Sequence, residues 1–390
     1  MYLERLELHE FRSYPEAKLE LGPGVRVLVG PNAQGKTNVL EAIHYLSVGA
    51  SHRVANDTSL VRSGADAAIV RAFARIDTAG GNTGRALSVE LELRPGGRNR
   101  ARLNGQQQTR VRDAIGQIRS VMFAPEDLGL VRGDPGDRRR FLDELLGQRR
   151  PAYLTLRLEY DRILKQRNTL LRLGRAGSHL DASFGTWTES LIGAGASLLA
   201  ARIAVTHALA GPGEVAYRDL VAGSPQREAT GALGLAYELS TGRVIQADPA
   251  QGVPDPAALA AELREGLAAV AGEERDRGVT LRGPHRDELQ LHLNGLPAKG
   301  YASHGEIWSL ALALRLASRE VLHDVGEEPV VLLDDVFAEL DETRRARLAA
   351  RCAEFQQVLV TAAVDDDVPL EGPRHRVRAG TITTRGEVAT

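Results

Sequence analysis

Cysteine is almost missing from this 390-residue chain: the single Cys352 excludes an internal disulfide and any cysteine-rich zinc site. It lies in an apolar helical pattern and reads as a buried structural thiol. Aromatic residues make up only 4% of the chain, too few for a nucleic-acid surface built on base-stacking platforms. Lysine is scarce too. Only Lys18, Lys36, Lys165 and Lys299 interrupt an otherwise all-arginine set of 49 basic residues. No charge of one sign dominates: 49 basic against 51 acidic side chains leave a net −2, and bulk charge gives no reason to expect a nucleic-acid or membrane partner. The start, MYLERLELHEF, lacks the basic opening and apolar run of a signal peptide. No unbroken apolar run reaches the roughly 18 residues of a membrane span. A cytoplasmic, reducing location is the expectation.

What is present is the composition of an ordinary globular chain, 43% apolar and 26% charged, long enough for two domains. Alternation predicts strands over Tyr2–Leu8, Ala17–Leu21, Ala68–Ile76, Leu87–Leu93 and Arg100–Leu103, and short apolar runs predict buried strands at Val25–Val29, Val330–Leu333 and Val358–Val360. Helical spacing marks Asn38–Ser47, Asp137–Leu146, Leu154–Leu173, Ser183–Leu209, Ala257–Val270 and Arg344–Phe355. Gly- and Pro-containing stretches at Gly211–Gly213, Gly223–Pro225 and Asp248–Pro256 read as breaks. The expected architecture is α/β: a head built from residues 1–123 plus 279–390, with a mostly helical lobe over 124–278 inserted between them.

Gly30-Pro31-Asn32-Ala33-Gln34-Gly35-Lys36-Thr37 fits the G-x-x-x-x-G-K-[ST] pattern, with a buried strand before it and an apolar helix after it. Glycines let the backbone wrap phosphates, and the helix start adds free N–H groups and a positive dipole end. Lys36 is placed to reach the β/γ-phosphates and the Thr37 hydroxyl to ligate Mg²⁺. A lysine in a chain that otherwise uses arginine is itself informative, because a planar guanidinium would not fit the same cradle. Val330–Asp335 supplies the expected partner, an apolar strand ending in acids, with Asp334 as metal ligand and Asp335 as the group that orients the attacking water. Ser303-His304-Gly305-Glu306 opens a strongly apolar helix over Ile307–Val321. Ser followed three residues later by Glu is a capping box needing no ligand. The same geometry presents a second anion site, and two anion sites for one triphosphate suggest a nucleotide held between two subunits.

These motifs, with Glu339-Leu340-Asp341 following the acid pair, resemble the ordered set of ABC-type ATPases. More narrowly, Gly30–Ala42, Ser51-His52-Arg53, Phe123–Asp127, Asp137–Leu145 and Gly283-Pro284-His285-Arg286-Asp287 resemble the bacterial RecF family along nearly the whole chain. The resemblance implies an ABC-type P-loop ATPase head of the SMC kind without the long coiled coil. It further implies an ATP-dependent homodimer in which Ser303 and Gly305 of one subunit close on the phosphates held by the other. The dimer would clamp single- and double-stranded DNA at gaps and junctions, work with RecR and RecO, and support RecA loading and SOS induction. Two departures stand out. Asp335 occupies the place where many such ATPases carry Glu, which predicts slow hydrolysis. Val360-Thr361-Ala362-Ala363 also lacks the His that senses the γ-phosphate in transporters.

Charge is segregated along the chain. Arg94–Arg119 holds seven basic residues against one acid, Arg132–Arg175 twelve against six, and Asp324–Glu342 eight acids and no Lys or Arg. A phosphate-tracking surface is therefore expected on Arg98, Arg100 and Arg102, which alternate on a predicted hairpin strand, and on Arg138 and Arg139, where neighbouring acids favour an ion-paired face equally. The roles of His52, Arg53, His285 and Arg286 stay open. The nucleotide-binding subunit of a membrane transporter is the alternative, opposed by the long insertion, the missing His and the Arg-rich strands. A P-loop phosphotransferase would need neither the Ser303 helix start nor the Glu339-Leu340-Asp341 segment.

Overall fold

In Tyr2–Phe11 the side chains of Leu3, Leu6, Leu8 and Phe11 all turn inward. Strict alternation would send Leu3 and Leu6 to opposite faces. A shift of register between Leu3 and Arg5 brings both to the core side. The computed structural model describes residues 1–54, 56–76, 84–175, 183–222, 232–248, 250–326 and 328–384. Its contacts divide the chain into two units: Met1–Leu128 with Ala216–Glu228 and Ala311–Thr390, and Gly129–Val215 with Ala229–Leu310.

The first unit carries two six-stranded sheets. One is antiparallel, in the order Tyr14–Glu20, Tyr2–Phe11, Ala68–Ile76, Arg85–Leu93, Arg100–Leu103 and Gln106–Gln107. The other runs Thr381–Thr384, Arg374–Arg378, Gly24–Val29, Gln357–Ala362, Val330–Asp334 and Ser120–Phe123, and all its pairings except the first, antiparallel one are parallel. Strands Val330–Asp334 and Gln357–Ala362 are buried along their whole length, which is why they read as continuous apolar runs. Helix Lys36–Val48 contributes Val39, Leu40, Ile43 and Leu46 to a core cluster that also holds Leu3, Leu6 and Leu8 from one sheet and Leu28, Leu332 and Leu359 from the other. The helix start is thereby fixed at the carboxyl ends of the parallel strands, the usual ligand position of an open α/β sheet.

The second unit departs from the expected division. Glu288–Leu293 pairs antiparallel with Leu233–Glu238, in a sheet completed by Val244–Gln246 and Leu296–Pro297, so residues 279–310 fold with the inserted lobe rather than with the chain ends. The period of 124–278 hid this sheet because Leu233–Glu238 buries Leu235, Ala236 and Tyr237 in succession and shows no alternation. Helix Ser183–Val221 runs through the expected break at Gly211–Gly213 with Pro212 inside it. The break expected at Gly223–Pro225 lies outside the described residues. Among those residues Ser183–Val221 is long and apolar enough to cross a membrane, with an 18-residue window of mean hydropathy 1.4, and it is the length of that window that a search for unbroken runs overlooks. Yet 61% of the window is buried inside the protein, and the helix carries buried Arg202, Thr206 and His207, as a core helix does.

Candidate phosphate-binding site

Two positions of the loop Gly30–Thr37 are held to glycine by their surroundings. Gly35 has φ 112°, and a Cβ there would stand 2.7 Å from Ser13 Oγ and 2.9 Å from the Tyr14 hydroxyl. At Gly30 a Cβ would stand 2.2 Å from the carbonyl oxygen of Val377. Buried Tyr14 donates its hydroxyl to the Gly35 carbonyl at 3.0 Å. Gln34 ties the loop to the turn of the last hairpin: its Oε1 accepts from Ala379 N at 2.7 Å and its carbonyl from Gly380 N at 3.3 Å. The Lys36 ammonium folds back into the loop and donates to Pro31 O at 3.2 Å and Asn32 Oδ1 at 3.4 Å. These are weak, displaceable bonds for a buried cation.

Asp334 ends the central strand and accepts two hydroxyls on one oxygen, from Thr37 at 2.9 Å and from Thr361 at 2.7 Å. No cation pairs with this buried carboxylate among the described residues. Burial therefore pushes its pKa up to about 6, with Asp335 and Glu126 adding to the rise and the two hydroxyls opposing it. A desolvated, unneutralised carboxylate beside a threonine hydroxyl suits a hard divalent cation with oxygen ligands. Asp335 takes a left-handed conformation, φ 50°, and its N–H donates to Thr361 Oγ1 at 2.9 Å. Thr361 thus positions both acids. Its signal in the sequence is one hydroxyl in an otherwise apolar strand.

A second set of residues beside the loop escaped sequence reasoning. Glu41, on the helix that follows the loop, has no exposed side-chain surface and accepts from Arg12 Nε at 2.9 Å, Arg12 Nη2 at 2.6 Å and Ser51 Oγ at 2.5 Å. Burial alone would raise its pKa, but the bonds from Arg12 and Ser51 hold it below the ordinary carboxylate value. Arg53 donates to Asn38 Oδ1 at 3.1 Å and lies 3.6 Å from Glu41, so Ser51-His52-Arg53 is anchored to the first turns of that helix.

Ser303 and Gly305 belong to the second unit, at the start of helix His304–His323. The capping box is formed: Ser303 donates its N–H and hydroxyl to Glu306 Oε2, at 2.7 and 2.6 Å, and its Oγ faces Glu306 N at 3.4 Å. The serine stays exposed while capping the helix, so the capping and anion-site readings share one geometry.

Residues 2–370 match the family model described as RecF/RecN/SMC N terminal domain. The chain is 50% identical to the DNA replication and repair protein RecF of Streptomyces avermitilis, over 98% of this chain and 99% of that protein. The RecF of Frankia alni is 52% identical, again over 98% and 99%. The chain belongs to the RecF family. A solved structure of the recombination mediator protein RecF with ATP, in the RecFOR pathway, superposes with a TM-score of 0.87 at 26% identity, covering 99% of this chain and 98% of that one. An Smc head bound to the C-winged helix domain of ScpA superposes at 0.53 with 17% identity, over 99% and 97%, which shows the shared ABC-type head fold.

In this RecF-family chain the expected DNA-contact arginines separate into groups. Arg138 is corrected: it is buried, clamped by Glu288 through two bonds of 2.6 and 2.7 Å, and donates to the carbonyls of Leu130 and Gly133, so four of its five N–H groups are already spent inside the protein. Arg139, half-buried, donates to the Asp287 carbonyl at 2.5 Å. Arg100 and Arg102 lie on strand Arg100–Leu103, opposite Glu92 and Glu90, at 3.9 and 3.1 Å from those carboxylates. Glu90 also accepts from Arg71, making a cross-strand ladder of opposite charges that accounts for this face without a ligand. Arg98 precedes the strand and is exposed.

Gly283–Asp287 forms a turn wired into the second unit. His285 Nε2 faces the Thr280 carbonyl at 3.2 Å, which can only accept, so Nε2 carries the proton and Nδ1 accepts from the Tyr160 hydroxyl at 2.7 Å. Burial lowers His285 to about 4, and burial raises Asp287 to about 6 despite the bonds from Ser240 and Tyr237 and the nearby Arg202. The two act in opposite senses. As pH falls from about 6.5 to 4, the unfolded chain takes up a proton that folded His285 refuses, and stability is lost. From about 6 to 4, folded Asp287 takes up a proton that the unfolded chain does not, and stability is gained. Asp287→Asn removes the gain alone. Urea titrations of the variant are expected to show a steeper acid loss than wild type, the gap widening by about 2 kcal/mol between pH 6 and 4; parallel pH profiles would contradict the assignment.

Proposed function

We propose that this chain is an ATP-driven DNA clamp of recombinational repair and replication restart. ATP binds in the loop Gly30–Thr37, two copies dimerise over the nucleotides, DNA at gaps and junctions is held, and slow hydrolysis releases it. The observation that carries the reading is the loop Gly30–Thr37 at the carboxyl ends of the parallel strands, where Thr37 bonds the strand-end acid Asp334 and Lys36 is held by weak bonds within the loop. Lys36 exchanges its two weak carbonyl bonds for β/γ-phosphate oxygens. Thr37 and Asp334 would hold Mg²⁺, which would supply positive charge to those oxygens. Asp335, kept in place through Thr361, orients the attacking water, and its short side chain makes hydrolysis slow. Ser303 and Gly305 reach the phosphates held by a second copy. By likeness to the RecF relatives we infer action with RecR and RecO in the cytoplasm, ahead of RecA loading and SOS induction. The transporter-subunit alternative finds no support among relatives that align over the full chain.

Sedimentation with Mg-ATP and a gapped duplex tests the reading. Wild type is expected to form dimers only with ATP, and Ser303→Arg to bind ATP as a monomer without retaining DNA. A wild-type protein that stays monomeric under all these conditions would sink the model.

A further inference from the structure

The turn Gly283-Pro284-His285-Arg286-Asp287 holds more buried polar chemistry than a turn needs to fold. Gly283 N donates to Ser240 Oγ at 2.8 Å, and at φ 133° a Cβ there would stand 2.6 Å from the Tyr160 hydroxyl. Pro284 O accepts from fully buried Arg202 at 2.7 Å, and Arg202 is itself clamped to Asp143 by bonds of 2.8 and 2.9 Å. His285 is held on both ring nitrogens. The Asp287 carboxylate accepts from Ser240 N at 2.7 Å and from Tyr237 at 3.0 Å. Arg286 is the exception: its side chain is exposed, and its guanidinium has no hydrogen-bond or ion-pair partner among the described residues.

Buried charge is a costly way to stabilise a turn, since a well-packed apolar core does as well or better. What such a network provides is fixed geometry, the support that a binding residue requires from the groups behind it. The charge around the turn points the same way. Arg139 and Arg282 donate to the backbone carbonyls of Asp287 and Ser240, and neither lies within ion-pair distance of a carboxylate among the described residues. Arg139 and Arg286 both act on His285, and although Glu288 and Asp287 also act on Arg139, none of the three guanidiniums, Arg139, Arg282 and Arg286, has an ion-pair partner among the described residues. On the sheet of the first unit, by contrast, Arg71, Arg100 and Arg102 each have a glutamate partner.

We propose that Arg286 is a phosphate contact to the backbone of bound DNA, held out from the second unit by this rigid turn, with Arg139 and Arg282 adding positive potential behind it. The proposal rests on the DNA-clamp reading and adds a residue to it. A guanidinium on a fixed turn loses little conformational freedom on binding and offers a fork that matches phosphate oxygens. Contact of this kind reads no sequence and is salt-dependent.

The test measures affinity of the full chain with Mg-ATP for a fluorescent gapped duplex across a range of NaCl concentrations. Arg286→Ala, whose side chain supports nothing in the fold, is expected to bind roughly tenfold more weakly at low salt and to lose about one from the magnitude of the log–log salt slope. Arg286→Lys keeps the slope. Arg264→Ala, which breaks an exposed ion pair with Glu189 in the same unit, changes neither quantity. An Arg286→Ala protein matching wild type in affinity and slope overturns this inference and leaves the clamp reading standing, as does a lysine variant with the alanine slope. Wild type that fails to bind DNA with ATP overturns the clamp reading itself.

Discussion

Replacing Lys36 by alanine is expected to lower ATP turnover by roughly 10²–10³-fold, the range found when one preorganised charge or donor is removed from a transition state. The structure gives the reason for so large an effect at one residue. The ammonium is buried within its own loop and, among the described residues, held only by Pro31 O and Asn32 Oδ1 at 3.2 and 3.4 Å. On the proposed reading a phosphate would replace those contacts without reorganising the loop, which Gln34, Tyr14 and the tight approaches at Gly30 and Gly35 keep in shape. The alanine protein should therefore keep its thermal midpoint while losing activity, and should neither dimerise nor retain DNA with ATP. Steady-state phosphate release and a melting curve on one preparation decide the matter. A variant whose turnover falls less than about fivefold would show that Lys36 does not face the transferred charge.

The phosphate loop was legible because its constraint is local: two glycines, a lysine and a hydroxyl within eight residues, flanked by a buried strand and a helix. Asp334 was legible for a similar reason, as the acid ending an apolar run. Thr361 and Tyr14 were not, since their function lies in bonds to Asp334 and Gly35 and neither spacing nor composition records such a partner. Arg138 shows the converse error. Counting charge near residue 138 cannot reveal that Glu288, 150 positions away, takes the Nε–Nη2 edge of its guanidinium. Long-range pairing also hid the lobe's sheet: strand Leu233–Glu238 pairs with Glu288–Leu293 across two intervening helices, Pro256–Ala269 and Ala271–Arg277. Local pattern thus marks the loop and the strand-end acid, and it misses the partners that long-range pairing supplies.

Arg202→Met is expected to destabilise the second unit by about 3–5 kcal/mol, the usual cost of stripping one partner from a buried ion pair. Arg202 is 1% exposed and spends three of its nitrogens on Asp143, Pro284 O and the Tyr237 hydroxyl. Methionine fills much of the volume but leaves a buried Pro284 carbonyl without its donor. Asp143 keeps bonds from Tyr153 at 2.5 Å and Arg157 at 2.9 Å, so part of its compensation survives and the lower end of the range is the better expectation. In a unit of this size each kcal/mol moves a melting midpoint by roughly 2–4 °C, which gives a fall of about 6–20 °C. Adding Asp143→Leu removes the acid that has lost its buried guanidinium and should recover part of the loss, whereas independent sites would show losses that add. The two variants also separate stability from function. If the network serves mainly to fix the Gly283–Asp287 turn, the double variant regains midpoint but not DNA affinity, because the Pro284 carbonyl still lacks the donor that orients it. Recovery of both quantities together would mean that the buried charges serve stability alone and that Arg286 needs no fixed turn.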